Sequence, residues 1–200
     1  MEKQLLREFM IFEHEAVEPV TDPRSDGILR MKGIIQKAGA PNANNRIYPK
    51  PILEREDQKM QEAITERRAL GECDHPDSPI VQLENTSHLL TKSWWEGDSL
   101  MGEIEILDTP KGQILESLIK RNVKLGISSR GLGSTSRTNE GYDMVEDDFS
   151  MICYDLVSNP STGGAYMHLK ESVEFQTLIS SNKEILINNI LDEILELDSL

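Results

Sequence analysis

Residues Gly126 to Gly131 read GISSRG, two serines and an arginine between glycines. A serine hydroxyl attacks a carbonyl only when a base removes its proton, and that base is usually a histidine oriented by a third group. The chain has four histidines, His14, His75, His88 and His168. His75, in GECDHP, is crowded by Glu72, Asp74 and Asp77, which favour the imidazolium. Ser128 or Ser129 with His75 supplies the first two roles if their segments meet. Asp155, inside the apolar run MICYDLV, is the best third member: a carboxylate buried there needs a donor, and a histidine would be one. Glu72, Asp74, Asp77 and His88 are next in line. Arg130 is placed either to hold a developing oxyanion or to fix its segment by pairing with an acid. Glycines at 126, 131 and 133 permit close backbone approach.

Each reading has a plainer counterpart. His75 can be a polar loop histidine, His88 a core or surface residue, Asp155 a strand-edge acid facing water and Arg130 a surface ion-pair partner. Cys73, His75, His88 and Cys153 could in principle hold zinc, but their spacing matches no compact ligand pattern. We therefore expect no metal and no cofactor.

The elements that must carry these residues can be read from periodicity. Residues 1–27 lack a clear repeat and hold EPVTDPRSDG, an arm and a loop. ILRMKGIIQK (28–37) reads as a strand and 38–49 as a loop. A helix follows from Pro51, with Ile52, Leu53, Met60 and Ile64 on one face and Glu56, Lys59 and Glu62 facing water. LGECDHPDSP (70–79) reads as a loop. NTSHLLTKSWW and SLMGEIEIL read as paired strands turning at Glu96–Asp98. Thr109 and Pro110 open a second helix. GISSRGLGS is extended, TNEGY (138–142) is a hairpin turn and FSMICYDLV (149–157) is a strand. The end of the chain places Ile187, Ile190, Leu191, Ile194 and Leu197 on one stripe of an acidic amphipathic helix.

Bulk properties narrow the classes further. The chain has 200 residues, enough for one domain and a tail, and a net charge of −14 that disfavours a nucleic-acid backbone as partner. Two cysteines argue against a disulfide framework and for a reducing compartment. The N-terminus does not read as a secretory signal, and no apolar run approaches the ~18 residues of a membrane helix.

Five blocks, NANNRIYPKPIL, ALGECDHP, WWEGDSLMGEIEIL, GISSRGLGS and DFSMICYDLVSNPS, occur in an order that resembles the prohead core protein proteases of T-even-like tailed phages. The resemblance spans about residues 28–165. It implies an α+β fold with a mainly antiparallel, barrel-like sheet and surrounding helices, similar to herpesvirus assemblins. It implies a serine endopeptidase that digests the internal scaffold and trims capsid proteins inside the immature head, in the host cytoplasm. Ser128 matches the family nucleophile and His75 the base. Assemblins use a second histidine as third member; no histidine lies in the matching strand here, and Asp155 takes that place. Ser129, Arg130 and Gly131 then fall to oxyanion or substrate binding.

The division expected is an arm (1–27), a protease domain (28–165) and a C-terminal extension (166–200). Proteases of this family favour cutting after Glu with Leu or Ile two residues before it. Leu6-Arg7-Glu8 has that form, so the arm is expected to be a self-cleaved propeptide cut between Glu8 and Phe9. Expected partners are prohead scaffolding core and capsid proteins and further copies of this chain, as a homo-oligomer such as a ring, with no nucleic acid and no membrane. The competing reading is a non-enzymatic capsid or scaffold-associated binding protein whose acidic terminal helix does the binding.

Overall fold

A computed structural model of the chain describes residues 3–7, 28–121, 123–158 and 166–170. The strands are β1 (Gln4–Arg7), β2 (Arg30–Lys37), β3 (Arg46–Ile47), β4 (Leu70–Glu72), β5 (Thr86–Glu96), β6 (Ser99–Ile106), β7 (Leu125–Gly133), β8 (Thr135–Arg137), β9 (Asp143–Val145), β10 (Ser150–Val157) and β11 (Tyr166–Lys170). Two α-helices, α1 (Lys50–Thr65) and α2 (Pro110–Ile119), accompany them. Neither is long and apolar enough to cross a membrane.

An eight-stranded sheet runs β1-β7-β11-β2-β6-β5-β4, with β10 on the other edge of β7. All its pairings are antiparallel. A small second sheet has the order β3-β9-β8. The expected antiparallel α+β character is present, but the described strands do not close into a barrel. The approach to closure is one parallel bridge, Cys73 to Leu156, between β10 and the chain just after β4. Strands β1 and β11 lie outside 28–165, so the sheet draws on chain at both ends of that segment.

Local sequence explains most elements. The hairpin β5–β6 turns at Gly97, whose φ of 61° is left-handed and open to glycine at no steric cost. Thr109 caps α2 by accepting the Gly112 N–H at 3.1 Å, with Pro110 just inside. On α1, Ile52 and Leu53 are buried as the periodicity predicts. Glu56 is not on the water-facing side: it is 2% exposed and accepts from Lys59, from Arg55 and from the Met151 N–H at 3.0 Å. Lys59 and Glu62 do face water, so of the face read as solvated Glu56 alone turns inward and fastens α1 to the start of β10. Within 70–79, Leu70–Glu72 is a strand, because the edge of β5 is available to it.

Among the described residues, the buried apolar side chains form two clusters. One joins Met31, Ile35, Leu90, Leu100, Ile104, Leu115, Ile127 and Leu156 between the sheet and α2. The other joins Leu6, Ala38, Tyr48, Ile52, Leu53, Val145 and Phe149, with the Tyr48 and Phe149 rings edge to face at 5.3 Å.

Candidate active site

Strand alternation sorts the two serines. In β7, residues 128, 130 and 132 point to one face and 127, 129 and 131 to the other. The register with β10 sets Asp155 directly opposite Ser128 and Tyr154 opposite Ser129. Opposed residues share a face, so Ser128 and Asp155 are neighbours. Ser129 faces away and its Oγ accepts from Gln36 Nε2 at 2.8 Å.

His75 reaches Asp155 from the other side. The chain leaves β4 at Glu72, whose N–H donates to Asp155 Oδ1 at 3.1 Å. Asp74 then takes a left-handed φ of 64°, which aspartate tolerates better than most residues. Its N–H donates to the Leu156 carbonyl at 2.8 Å. That reversal returns His75 to the sheet, where its Nδ1 lies 2.7 Å from Asp155 Oδ2. The His75 side chain is 1% exposed and Asp155 is fully buried. A carboxylate accepts, so His75 Nδ1 carries the proton and Nε2 is the basic nitrogen.

Arg130 takes the second of its two sequence readings. It is fully buried. Its Nε donates to Asp155 Oδ2 at 2.9 Å, its Nη2 to Asp155 Oδ1 at 3.2 Å and to Glu72, and its Nη1 to the Ser78 carbonyl at 2.6 Å. Glu72 in turn accepts the Gln82 N–H at 2.9 Å. The guanidinium therefore sits behind Asp155 and ties together β4, β7, β10 and the 75–82 loop. Burial pushes the Asp155 carboxyl up, but the hydrogen bond and charge of His75, the Arg130 charge and the Glu72 N–H hold it below its usual range. Cys153, also in this network, has its thiol pushed well up by burial and by the neighbouring Asp155 charge. It is a packed, unreactive thiol.

Gly131 has a steric role: a Cβ there would lie 2.5 Å from the Phe149 ring and 2.7 Å from the Ser150 carbonyl. His88 is a core residue. It is 1% exposed, bonded to Ser87 Oγ at 2.9 Å and the Tyr154 carbonyl at 3.0 Å, and burial lowers its pKa to about 4, so it is neutral. Its ring closes over Gly71. The sequence offers Glu72 only as a further candidate for the third role. Its part in holding Arg130 has no signal in the sequence beyond an acid just before Cys73 and His75. Glu8, Phe9 and the terminal amphipathic helix lie outside the described residues.

One edge of β7 is unevenly covered. β1 pairs with residues 130–133 and β11 with 125–126. Among the described residues, neither strand pairs with 127–129 on that edge, which is where Ser128 lies.

A carboxylate–imidazole pair near a strand-borne serine could serve a hydrolase that acts by acyl transfer. The comparisons agree with that class: the chain belongs to the prohead core protein serine protease family, whose model matches residues 10–177. The prohead core protein protease of Enterobacteria phage T4 is 35% identical over 153 residues, 74% of this chain and 72% of that protein. The solved structure of the bacteriophage T4 capsid assembly protease matches with a TM-score of 0.69 at 32% identity, covering 78% of this chain and 99% of the other.

Proposed function

We propose that this chain is a serine endopeptidase of phage prohead maturation in which Ser128 is the nucleophile, His75 the base and Asp155 the residue that orients His75. The observation that carries the reading is the register of Asp155 against Ser128 together with the 2.7 Å contact from Asp155 to His75 Nδ1. Membership of the protease family adds that the bond cut is a peptide bond.

With Nδ1–H donated to Asp155, His75 Nε2 accepts the Ser128 proton as Oγ adds to the scissile carbonyl. The tetrahedral oxyanion falls to backbone N–H groups of the Ser129–Gly131 stretch. The imidazolium then protonates the leaving amine, and water, activated by the same nitrogen, hydrolyses the acyl-enzyme. Arg130 and the Glu72 N–H keep Asp155 ionised and fixed, so the imidazolium forms against a full negative charge. Ser129, through Gln36, steadies the strand.

The likeness to a prohead core protein protease and a capsid assembly protease supports, as substrates, the internal scaffold and capsid proteins of the immature head, with action inside that head in the host cytoplasm. A homo-oligomer such as a ring is part of this reading. So is kinship with the assemblin barrel, with β4 and β10 as its seam. The arm supports self-activation: β1 lies on the same edge of β7 as Ser128 and runs toward it, and cleavage between Glu8 and Phe9 would release the arm.

Mass spectrometry of the purified protein beside its Ser128→Ala form tests the proposal. Wild type should yield a chain beginning at Phe9 and take a fluorophosphonate label at Ser128; Ser128→Ala should do neither. The same processing in Ser128→Ala would refute it.

A further inference from the structure

Beyond the Cys73–Leu156 bridge, toward the first residues of β4 and β10, lies a groove of about 370 Å³. Met60 and Ala63 of α1, Val81, Leu83 and Met151 supply much of its apolar lining. Two of its walls are fastened to each other: Glu56 on α1 accepts the Met151 N–H at 3.0 Å, and Arg55 Nη2 donates to the Phe149 carbonyl at 2.7 Å. The third wall is the 80–83 segment. It holds the most exposed large apolar side chains among the described residues, Ile80 at 70% and Leu83 at 76%. Apolar side chains left in water beside a formed groove mark an interaction site. The charged lining is Lys59, Arg68 and Glu56, a net positive balance on a chain of net charge −14. Glu56 is buried and already accepts from Arg55 and Lys59. Arg68 pairs with Glu62 and Glu66, both exposed. The wall that carries Ile80 and Leu83 also carries His75. Arg130 Nη1 ties it inward at the Ser78 carbonyl at 2.6 Å, and its Gln82 N–H donates to Glu72 Oε1 at 2.9 Å.

We propose that this groove receives the chain's own C-terminal stripe, Ile187, Ile190, Leu191 and Ile194, and that the docked stripe holds the 73–83 segment, and with it His75, in place. An apolar helix face laid into an apolar groove is a general recognition mode. The stripe has the matching chemistry. Residues 184–200 include Glu184, Asp192, Glu193, Glu196 and Asp198 and no basic residue. At helical spacing Glu184 and Glu193 flank the stripe, one on each side, which suits a rim that carries Lys59 and Arg68. Length permits the contact: the chain between Lys170, where β11 ends, and Ile187 spans up to about 50 Å. That reaches any face of a domain of this size. Tethering favours this occupant over a free one, because the effective concentration of a linked segment is in the millimolar range. The two fastened walls give the stripe a fixed seat, and its apolar residues cover Ile80 and Leu83 on the third. Docking stands apart from the proteolytic reading above; its effect on His75 rests on that reading and adds a control to it.

The test uses the full chain carrying Ser128→Ala, so that self-processing removes neither end. A carbodiimide joins lysines to carboxylates in direct contact, and mass spectrometry reads the pairs. Lys59 should be joined to an acid of residues 184–198, and a mixture of heavy-isotope and ordinary protein should show that pair within one chain. Adding Leu191→Asp, which alters no residue of the sheet or of α1 and α2, should lower the yield about tenfold and speed amide exchange at Ile80–Leu83 about tenfold, with β5 and β6 unchanged. Leu83→Asp makes the same test from the groove side and is safe for folding because Leu83 is exposed; it should lower the yield alike. No pair between Lys59 and the tail, pairs formed only between chains, or exchange unmoved by Leu191→Asp overturns the docking. With Ser128 present, Leu191→Asp should slow fluorophosphonate labelling at Ser128 at least about threefold, through a less fixed His75. Undiminished labelling overturns the hold on His75. A wild-type chain that docks its tail yet takes no label would keep the docking and remove the enzyme reading.

Discussion

Asp155→Asn is the sharpest perturbation of the site, because it changes one atom and leaves the shape. Asp155 receives His75 Nδ1 at 2.7 Å and Arg130 Nε at 2.9 Å on Oδ2, and Glu72 N at 3.1 Å and Arg130 Nη2 at 3.2 Å on Oδ1. A carboxamide has one acceptor oxygen. With that oxygen toward His75, its NH2 group meets the Glu72 N–H and the guanidinium, donors against donors. Flipped, its NH2 donates to His75 Nδ1, which puts the histidine proton on Nε2, where it blocks proton uptake from Ser128. The second arrangement offends fewer groups and should prevail. Turnover should then fall by about 10³–10⁴, the effect of a wrong tautomer at such a site. Removing one carboxylate from a buried guanidinium costs about 3 kcal/mol, the low end for a broken buried pair because Glu72 remains. For a chain of this size that lowers Tm by roughly 6–12 °C. The assay is peptide hydrolysis well below Tm, with circular dichroism to verify folding. Glu72→Gln is the control: it weakens the same guanidinium but spares the His75–Asp155 bond. It should match the Tm loss while keeping kcat within about tenfold. Folded Asp155→Asn protein with near-normal kcat would refute the reasoning, as would equal kcat losses in the two variants.

Three further outcomes follow from the same geometry. Ser129→Ala should keep kcat within about tenfold and lose about 1–2 kcal/mol in urea titration, since it removes the hydroxyl that accepts from the buried Gln36 Nε2, whereas Ser128→Ala should be inactive; the opposite pattern would exchange their roles. Gly131→Ala should lower stability by about 1–3 kcal/mol, because its Cβ overlaps the Phe149 ring and the Ser150 carbonyl, and an unshifted melting curve would contradict that packing. His88, whose folded pKa is lowered to about 4, binds its proton only in the unfolded chain as pH falls from about 6.5, so stability present at neutral pH is lost toward pH 4. The loss is at most about 3 kcal/mol; His88→Gln should flatten the fall in urea midpoint between pH 7 and 4.5, and parallel profiles would assign the acid sensitivity elsewhere.

The sequence by itself determined what short-range physics can fix. Thr109 and Pro110 start a helix because a cap and a preset φ act within one turn. Glu96–Asp98 turn a hairpin because strands joined by so short a link must pair. His75 and Asp155 stood out because an imidazole among acids and a carboxylate among apolar residues are each anomalous without a partner. Tertiary structure decided everything that depends on which face meets which neighbour. Ser128 and Ser129 are chemically identical, and only the β7–β10 register sets one opposite Asp155 and turns the other toward Gln36. Arg130 reads in sequence as a partner for an oxyanion or for an acid, and only the fold buries it between the carboxylates of Glu72 and Asp155. Glu56 read as a solvated helix residue until the start of β10 supplied an N–H for it. β1 shows no periodicity in four residues, too few to carry one, and it is a strand because β7 offers an unfilled edge and Phe149 a pocket for Leu6.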